Sequence, residues 1–258
     1  KTGLLFRLTD KFIAVSDFIK EKHIKAGFPE KKIVTKYNSI EVPSTKDLIP
    51  FDKRRGLVFS GRISWSKGAE VLAYLIKNFK GELKIIGTGP ELEYLKNISR
   101  TSSSKHVMFY ENLKREEAIK IVKESRCLVM PSQCGETFGL SAAEALSYSV
   151  PVVCSNLGGL AEIIKKSKGG IIVDPNSAKS FQKAVEDILE DSILEKKLGV
   201  AGHKFVREAL SNELNGKRLM KIYNSLINIL EVHLVLHLQL LIGRMLLLQP
   251  LVRCLLMI

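Results

Sequence analysis

PSQCGETFGLSAAEALSYSVP, residues Pro131 to Pro151, sets two carboxylates, Glu136 and Glu144, around a small-residue turn and the first turns of a helix. Just before it, Cys127 to Met130 (CLVM) is a short apolar run that ends at a proline, as a buried strand does. From Gly139 onward Leu140, Ala143, Ala145 and Leu146 recur at helical spacing among strong helix formers, which predicts a helix starting near Phe138 or Gly139. The stretch is therefore a strand, a loop and a helix N-terminus. Exposed N–H groups and the positive end of the helix dipole attract anions at such a junction, phosphate above all. Glu136 is expected in its mouth.

Outward from this stretch, strands and helices alternate. Gly56 to Ser60, Leu83 to Ile86, His106 to Tyr110, Cys127 to Met130, Pro151 to Cys154 and Gly170 to Val173 read as strands. Between them Lys67 to Phe79, Pro90 to Ile98, Arg115 to Glu124, Gly139 to Tyr148 and Gly159 to Lys166 read as helices. Short apolar strands alternating with helices imply an α/β fold, a Rossmann-like parallel sheet with helices on both faces, which binds ligands at the carboxyl ends of its strands. Three C-terminal helices follow, Ser177 to Glu190, Ser192 to Leu210 and Asn212 to Ile227.

Upstream, Lys11 to Ser16 and Lys32 to Lys36 read as strands flanking a helix over Asp17 to Ala26. Two strands and one helix cannot make a sheet covered on both faces, so residues 1–43 are expected to be the remnant of a larger N-terminal domain. The polar stretch 44–55 reads as a linker, and 56–227 as the ligand-binding domain with its C-terminal helices. Residues 228–258 are a Leu-rich tail interrupted by Glu231, His233, His237, Arg244 and Arg253. It holds no uninterrupted apolar run near the ~20 residues of a membrane span. A helix with scattered polar residues, a membrane segment and a frame-shifted terminus all remain readings of it.

The 258 residues carry a formal charge of +13 and four cysteines. The charge suggests anionic partners, although lysines spread over solvated helix faces account for it equally. Cys127, Cys134, Cys154 and Cys254 form no CxxC pair and read as reduced thiols of a cytoplasmic protein. With one Trp and no basic stripe interleaved with aromatics, nucleic-acid binding is not expected. No Walker A, GxSxG or HExxH sequence is present, and no set of residues calls for a metal.

Three loops follow strands. In Ser60-Gly61-Arg62-Ile63-Ser64-Trp65-Ser66-Lys67-Gly68, Arg62 and Lys67 are either surface charges or a pair of cations suited to a diphosphate. Gly87-Thr88-Gly89-Pro90 permits close backbone approach, but position 92 is Leu where a dinucleotide fingerprint needs glycine. After the next strand come Gly158, Gly159 and Glu162, read either as site residues or as a turn and a solvated helix carboxylate.

Taken in order, these motifs resemble the C-terminal, nucleotide-sugar-binding domain of retaining glycosyltransferases of the GT-B fold, family 4, over about Val15 to Tyr223. Asn38-Ser39-Ile40-Glu41 stands where that family usually has Asn-Gly-Ile-Asp. The resemblance implies transfer of a sugar, with retention, from a nucleoside-diphosphate sugar to a carbohydrate or lipid-linked hydroxyl, with peripheral membrane association. It gives Glu136 the hydroxyls of the transferred sugar and Glu144 those of the ribose. The backbone N–H groups of Phe138, Gly139 and Leu140 would meet sugar and diphosphate. Arg62 and Lys67, beside Gly61, would stabilise the leaving diphosphate in place of a metal, so no cofactor is implied. Gly87, Gly89 and residues Tyr110 to Leu113 would line the base pocket, with Glu111 departing from the family's usual glycine. If most of the N-terminal domain is missing, the alternative is a nucleotide-sugar-binding module without turnover. The paired carboxylates alone would also fit a glycosidase, but one on a loop and one two turns into a helix address different parts of a ligand.

Overall fold

The computed structural model describes residues 2–102 and 106–227. Lys1–Asn215 gather into one compact unit and Gly216–Ile258 into a second, of which residues 216–227 are helical. His233, His237, Cys254 and the rest of the Leu-rich tail lie outside the described residues. Among the described residues no helix is long and apolar enough to cross a membrane.

The chain opens with α1 (Thr2–Leu8), β1 (Phe12–Ala14), α2 (Asp17–Lys25) and β2 (Ile33–Thr35). The two strands form a small parallel sheet, Phe12 opposite Ile33 and Ala14 opposite Thr35. Phe6, Phe12 and Phe28 close one side of it, edge to face at 4.9–6.2 Å between ring centroids. Residues 44–55, read as a linker, are tied down by Arg54, which is 1% exposed. Its guanidinium donates to the carbonyls of Ile49 (2.8 and 3.0 Å), Ser149 (2.6 Å) and Tyr148 (3.1 Å). Burial lowers its pKa to about 10, so it stays charged at neutral pH.

The main sheet contains β3 (Leu57–Ser60), β4 (Leu83–Ile86), β5 (Val107–Tyr110), β6 (Cys127–Met130), β7 (Val152–Ser155) and β8 (Gly170–Val173). All pairings are parallel and the order is β5-β4-β3-β6-β7-β8. Successive strand residues point to opposite faces, which divides the apolar runs into two cores. Leu57, Phe59, Leu83, Ile85 and Val129 meet α3 (Ala69–Asn78), α4 (Leu92–Thr101) and α8 (Ala178–Glu190). Val58, Ile86, Leu128, Met130 and Val152 meet α5 (Arg115–Lys123), α6 (Leu140–Ser147) and α7 (Gly158–Ser167). Leu57, Leu83 and Leu128 are fully buried, each contributing about 2 kcal/mol of hydrophobic stabilisation. Cys127 and Cys154 are free and buried in these layers, and burial pushes both thiols well up, away from the reactive thiolate.

After β8 come α8, α9 (Ser192–Phe205), a wide turn at Val206–Leu210 and a helix over 212–227. Ile40 N–H donates to the Leu210 carbonyl (2.8 Å), holding the opening segment against this end. The helices expected from the sequence begin and end within a few residues of their observed bounds, except that the one expected over Ser192 to Leu210 closes at Phe205 before the wide turn; α1 was not expected. The helix predicted from Lys67 begins at Ala69, because Trp65–Lys67 form a 3-10 turn and Gly68 takes the left-handed conformation (φ 84°). Any side chain at Gly68 would collide with the Pro131 carbonyl, so this glycine lets the Arg62 loop lie against the Glu136 loop.

Candidate active site

The sheet order places the site. Strand order reverses between β3 and β6, and in an open α/β sheet the crevice at such a reversal, at the carboxyl ends, is where ligands bind. The two loops that leave there are Gly61–Gly68 after β3 and Pro131–Gly139 after β6.

A cavity of about 230 Å³ lies between them, lined by both loops and by Asn38 of the opening segment. Arg62, Lys67, Glu136 and Ser132 face it, with Gly139, Leu140 and Ser141 at the start of α6. Lys67 Nζ is 2.9 Å from Glu136 Oε1, and Ser132 Oγ donates to the same oxygen. Arg62 is exposed at the rim and makes no ion pair among the described residues. Gly139 precedes α6 in the left-handed conformation (φ 90°) and no side chain caps the helix. The first N–H groups of α6 lack intrahelical partners by construction, and here they meet a cavity bearing two cations. Among the described residues, Glu136 is the one carboxylate lining it.

Two more clefts adjoin. Gly87, Thr88 and Gly89 share one with Ser60, Gly61 and Arg62. The glycine requirement there is internal. Gly87 has φ 137°, and a side chain at Gly87 or Gly89 would strike the carbonyl of Gly61 or Ile63. These glycines let the β4 loop dock on the Arg62 loop, secured by Ile63 N–H to Thr88 O (2.9 Å) and Gly61 N–H to Ile86 O (3.0 Å). Glu111 turns to α4, its carboxylate 2.5 Å from Lys96 Nζ. Glu144 lies in the second cleft with Ser39, Glu41, Arg115 and Tyr148, and Arg115 Nη2 is 2.5 Å from its Oε1. The two carboxylates of the opening motif thus line separate hollows, bridged by Leu140, which lines both.

Glu162 is neither a solvated helix residue nor a member of the cavity wall. Its carboxylate accepts the N–H groups of Asp17 (3.2 Å) and Phe18 (3.0 Å), the first turn of α2, and the Tyr37 hydroxyl (2.6 Å). Lys166 joins Glu162 (3.1 Å), Asp17 (2.6 Å) and the Tyr37 oxygen. Burial and the bond to Glu162 raise the Tyr37 phenol to about 12. Burial alone would lower the Lys166 ammonium, but its bonds to Asp17, Tyr37 and Glu162 outweigh it and the net shift is upward. Hydrogen bonding to Lys166 holds Asp17 below its ordinary range. Ser132 belongs to the Pro-Ser pair that precedes Glu136 in the motif order, whereas Arg115, Ser16 and Tyr37 carry no spacing signal. Ser132 alone had a local signal, standing i−4 from Glu136.

The model of the family described as "Glycosyl transferases group 1" matches residues 44–205. An uncharacterised glycosyltransferase of Methanocaldococcus jannaschii, MJ1178, is 27% identical over 202 residues, covering 78% of this chain and 55% of its own length. Across three relatives from that organism the chain spans between half and about three fifths of the relative's length. Among solved structures, a glycosyltransferase from Rickettsia africae ESF-5 superposes with a TM-score of 0.75 at 20% identity, over 85% of this chain and 64% of that one. Anabaena Alr3699/HepE, solved in complex with UDP, gives 0.74 at 18% identity, over 86% and 66%. These likenesses show the Rossmann-like fold of a GT-B glycosyltransferase, and with the family match over 44–205 they lead to one conclusion: the chain belongs to the glycosyl transferases group 1 family.

Proposed function

We propose that the cavity between the β3 and β6 loops is the donor site of a glycosyltransferase that moves a sugar, with retention, from a nucleoside-diphosphate sugar to an acceptor hydroxyl. The observation that carries this is the meeting of Arg62, Lys67, Glu136 and the uncapped start of α6 at the switch point of the sheet. Arg62 and Lys67 would take the diphosphate and the charge that develops on it as the glycosidic bond breaks, with no metal invoked. Glu136 would accept hydrogen bonds from sugar hydroxyls, Glu144 from the ribose, and the cleft at Gly87 and Gly89 would take the base. Among the described residues Glu136 is the only carboxylate lining this cavity and is already addressed by Lys67 and Ser132, which leaves no second described group there for the acid-and-nucleophile pair of a glycosidase. The UDP bound by the Anabaena neighbour supports a nucleotide donor. The acceptor would be a carbohydrate or lipid-linked hydroxyl.

The test is turnover. The chain incubated with UDP-, GDP- and ADP-sugars and saccharide acceptors is expected to release nucleoside diphosphate and form a product of unchanged anomeric configuration. Glu136→Ala and Arg62→Ala should each abolish release; unchanged turnover in either contradicts the reading. A nucleotide-sugar-binding module without turnover is the second reading, for a chain that spans 50–61% of the length of its three Methanocaldococcus jannaschii relatives. Donor binding without release of diphosphate would select it.

A further inference from the structure

We propose that Ser16 and Glu162, both outside the donor cavity, are positioning residues that clamp the Glu136 loop in its binding conformation. The inference rests on the donor-site reading of Glu136.

Three successive loop residues, 135, 136 and 137, are held from outside the loop. Gly135 lies under the Phe18 ring, so closely that a Cβ there would come within 2.7 Å of it. The Glu136 carbonyl accepts the Gly159 N–H (2.7 Å) at the start of α7. Gly158 makes that approach possible, since a side chain on it would sit 2.6 Å from the Glu136 backbone N and O. The Thr137 carbonyl accepts the Ser16 hydroxyl (2.6 Å).

The outer contacts come from two elements, α2 and α7, and Glu162 joins them. From α7 its carboxylate binds the Asp17 and Phe18 N–H groups, while Ser16 caps the same helix by accepting the Ile19 N–H (3.2 Å). Ser16 is fully buried, so its hydroxyl has no water to fall back on. With residues 135–137 pinned, the backbone of Glu136 is fixed and its carboxylate falls between Lys67 and Ser132. Preorganisation of this kind requires the supporting shell to be held to a fraction of an ångström. The diphosphate cations ride on the separate Arg62 loop, so loosening the clamp should affect recognition of the sugar more than of the diphosphate.

That asymmetry defines the experiment. In the full chain, Ser16→Ala and Glu162→Gln are compared with wild type in two measurements. Hydrogen exchange reports the peptide covering 135–139, which should exchange at least about tenfold faster in both variants while β3 and β4 peptides keep their rates. Titrations compare UDP, GDP and ADP with UDP-glucose, GDP-mannose and ADP-glucose. Affinity for the sugar nucleotide should fall about tenfold, a difference of one decade, while the matching diphosphate stays within about twofold.

Equal weakening of both ligands, or unchanged exchange, overturns the proposal. If wild type binds no nucleotide the donor reading fails, and the clamp is then judged by exchange alone: faster exchange at 135–139 upholds it and unchanged exchange overturns it. Tyr37→Phe, which removes the phenol's bonds to Glu162, Asp17 and Lys166 but leaves the Ser16 cap of α2 in place, keeps the comparison available if Ser16→Ala unfolds. It should shift both readouts in the same direction by a smaller factor, and no shift counts against the clamp.

Discussion

Glu136 and Lys67 form an ion pair inside the very cavity that is expected to receive an anion, so each must change partner when a diphosphate arrives. Replacing Glu136 with Gln keeps its size, removes its charge and frees Lys67. Transfer should then fall by about a hundredfold or more while nucleoside-diphosphate affinity stays the same or rises, because the sugar hydroxyls lose hydrogen bonds to a charged acceptor, each contributing about 1.5–3 kcal/mol. Steady-state kinetics set against calorimetry will show this split; parallel losses in both would place Glu136 on the diphosphate instead. Arg54 is the opposite kind of charge, buried and already satisfied by three carbonyl-bearing residues. Arg54→Met would leave those carbonyls without a donor and should lower stability by about 3 kcal/mol in urea unfolding. An unchanged midpoint would mean water replaces the guanidinium.

At the level of elements, the site is made by loops that interlock through backbone. Gly87→Ala would place a Cβ against the Gly61 carbonyl at φ 137°, a conformation L side chains rarely adopt. It should cost about 2 kcal/mol or more and displace the Arg62 loop, weakening nucleotide binding as well as stability. Thermal melts and titration of the same variant test both, and wild-type values in each would contradict the docking.

The α2–α7 tie has its own pH signature. Tyr37 is raised from 10.0 to about 12 and Lys166 is raised above 10.5, so both contribute stability that is fully present below pH 10 and fades as pH climbs through their folded values. Asp17, lowered from 3.8, contributes above that pH and loses its contribution as pH falls through its folded value. The difference in melting temperature between wild type and Lys166→Met should therefore narrow above pH 10.5. A constant difference up to pH 12 would show that the pair adds nothing to stability. The alternating elements were legible because each apolar run carries its own period. The clamp was not, because Ser16 and Thr137 are 121 positions apart and Glu162 gives no local sign that its partners are the N–H groups of Asp17 and Phe18.

Across the whole molecule, strand order turns a list of motifs into a site. The sequence indicated a parallel sheet with loops at its carboxyl ends, but not which loops meet. The reversal between β3 and β6 brings Arg62 and Lys67 to Glu136 and leaves Glu144 with Arg115 in a neighbouring cleft. The role of the glycines was half legible: close approach was expected, yet the group approached at Gly87, Gly89 and Gly158 is the protein's own backbone. The net charge of +13 did not locate the anion site, since lysines are spread over most of the helices, whereas Arg62 and Lys67 are brought together by the loop after β3.

The most direct test of the donor site is calorimetric titration of the full chain with UDP, GDP and ADP, repeated on Arg62→Ala and Lys67→Ala. At least one nucleotide should bind with one-to-one stoichiometry, and each substitution should weaken it by about ten- to a hundredfold, the loss of one charge-assisted contact. No binding by any of the three, or equal affinity in wild type and both variants, would contradict it.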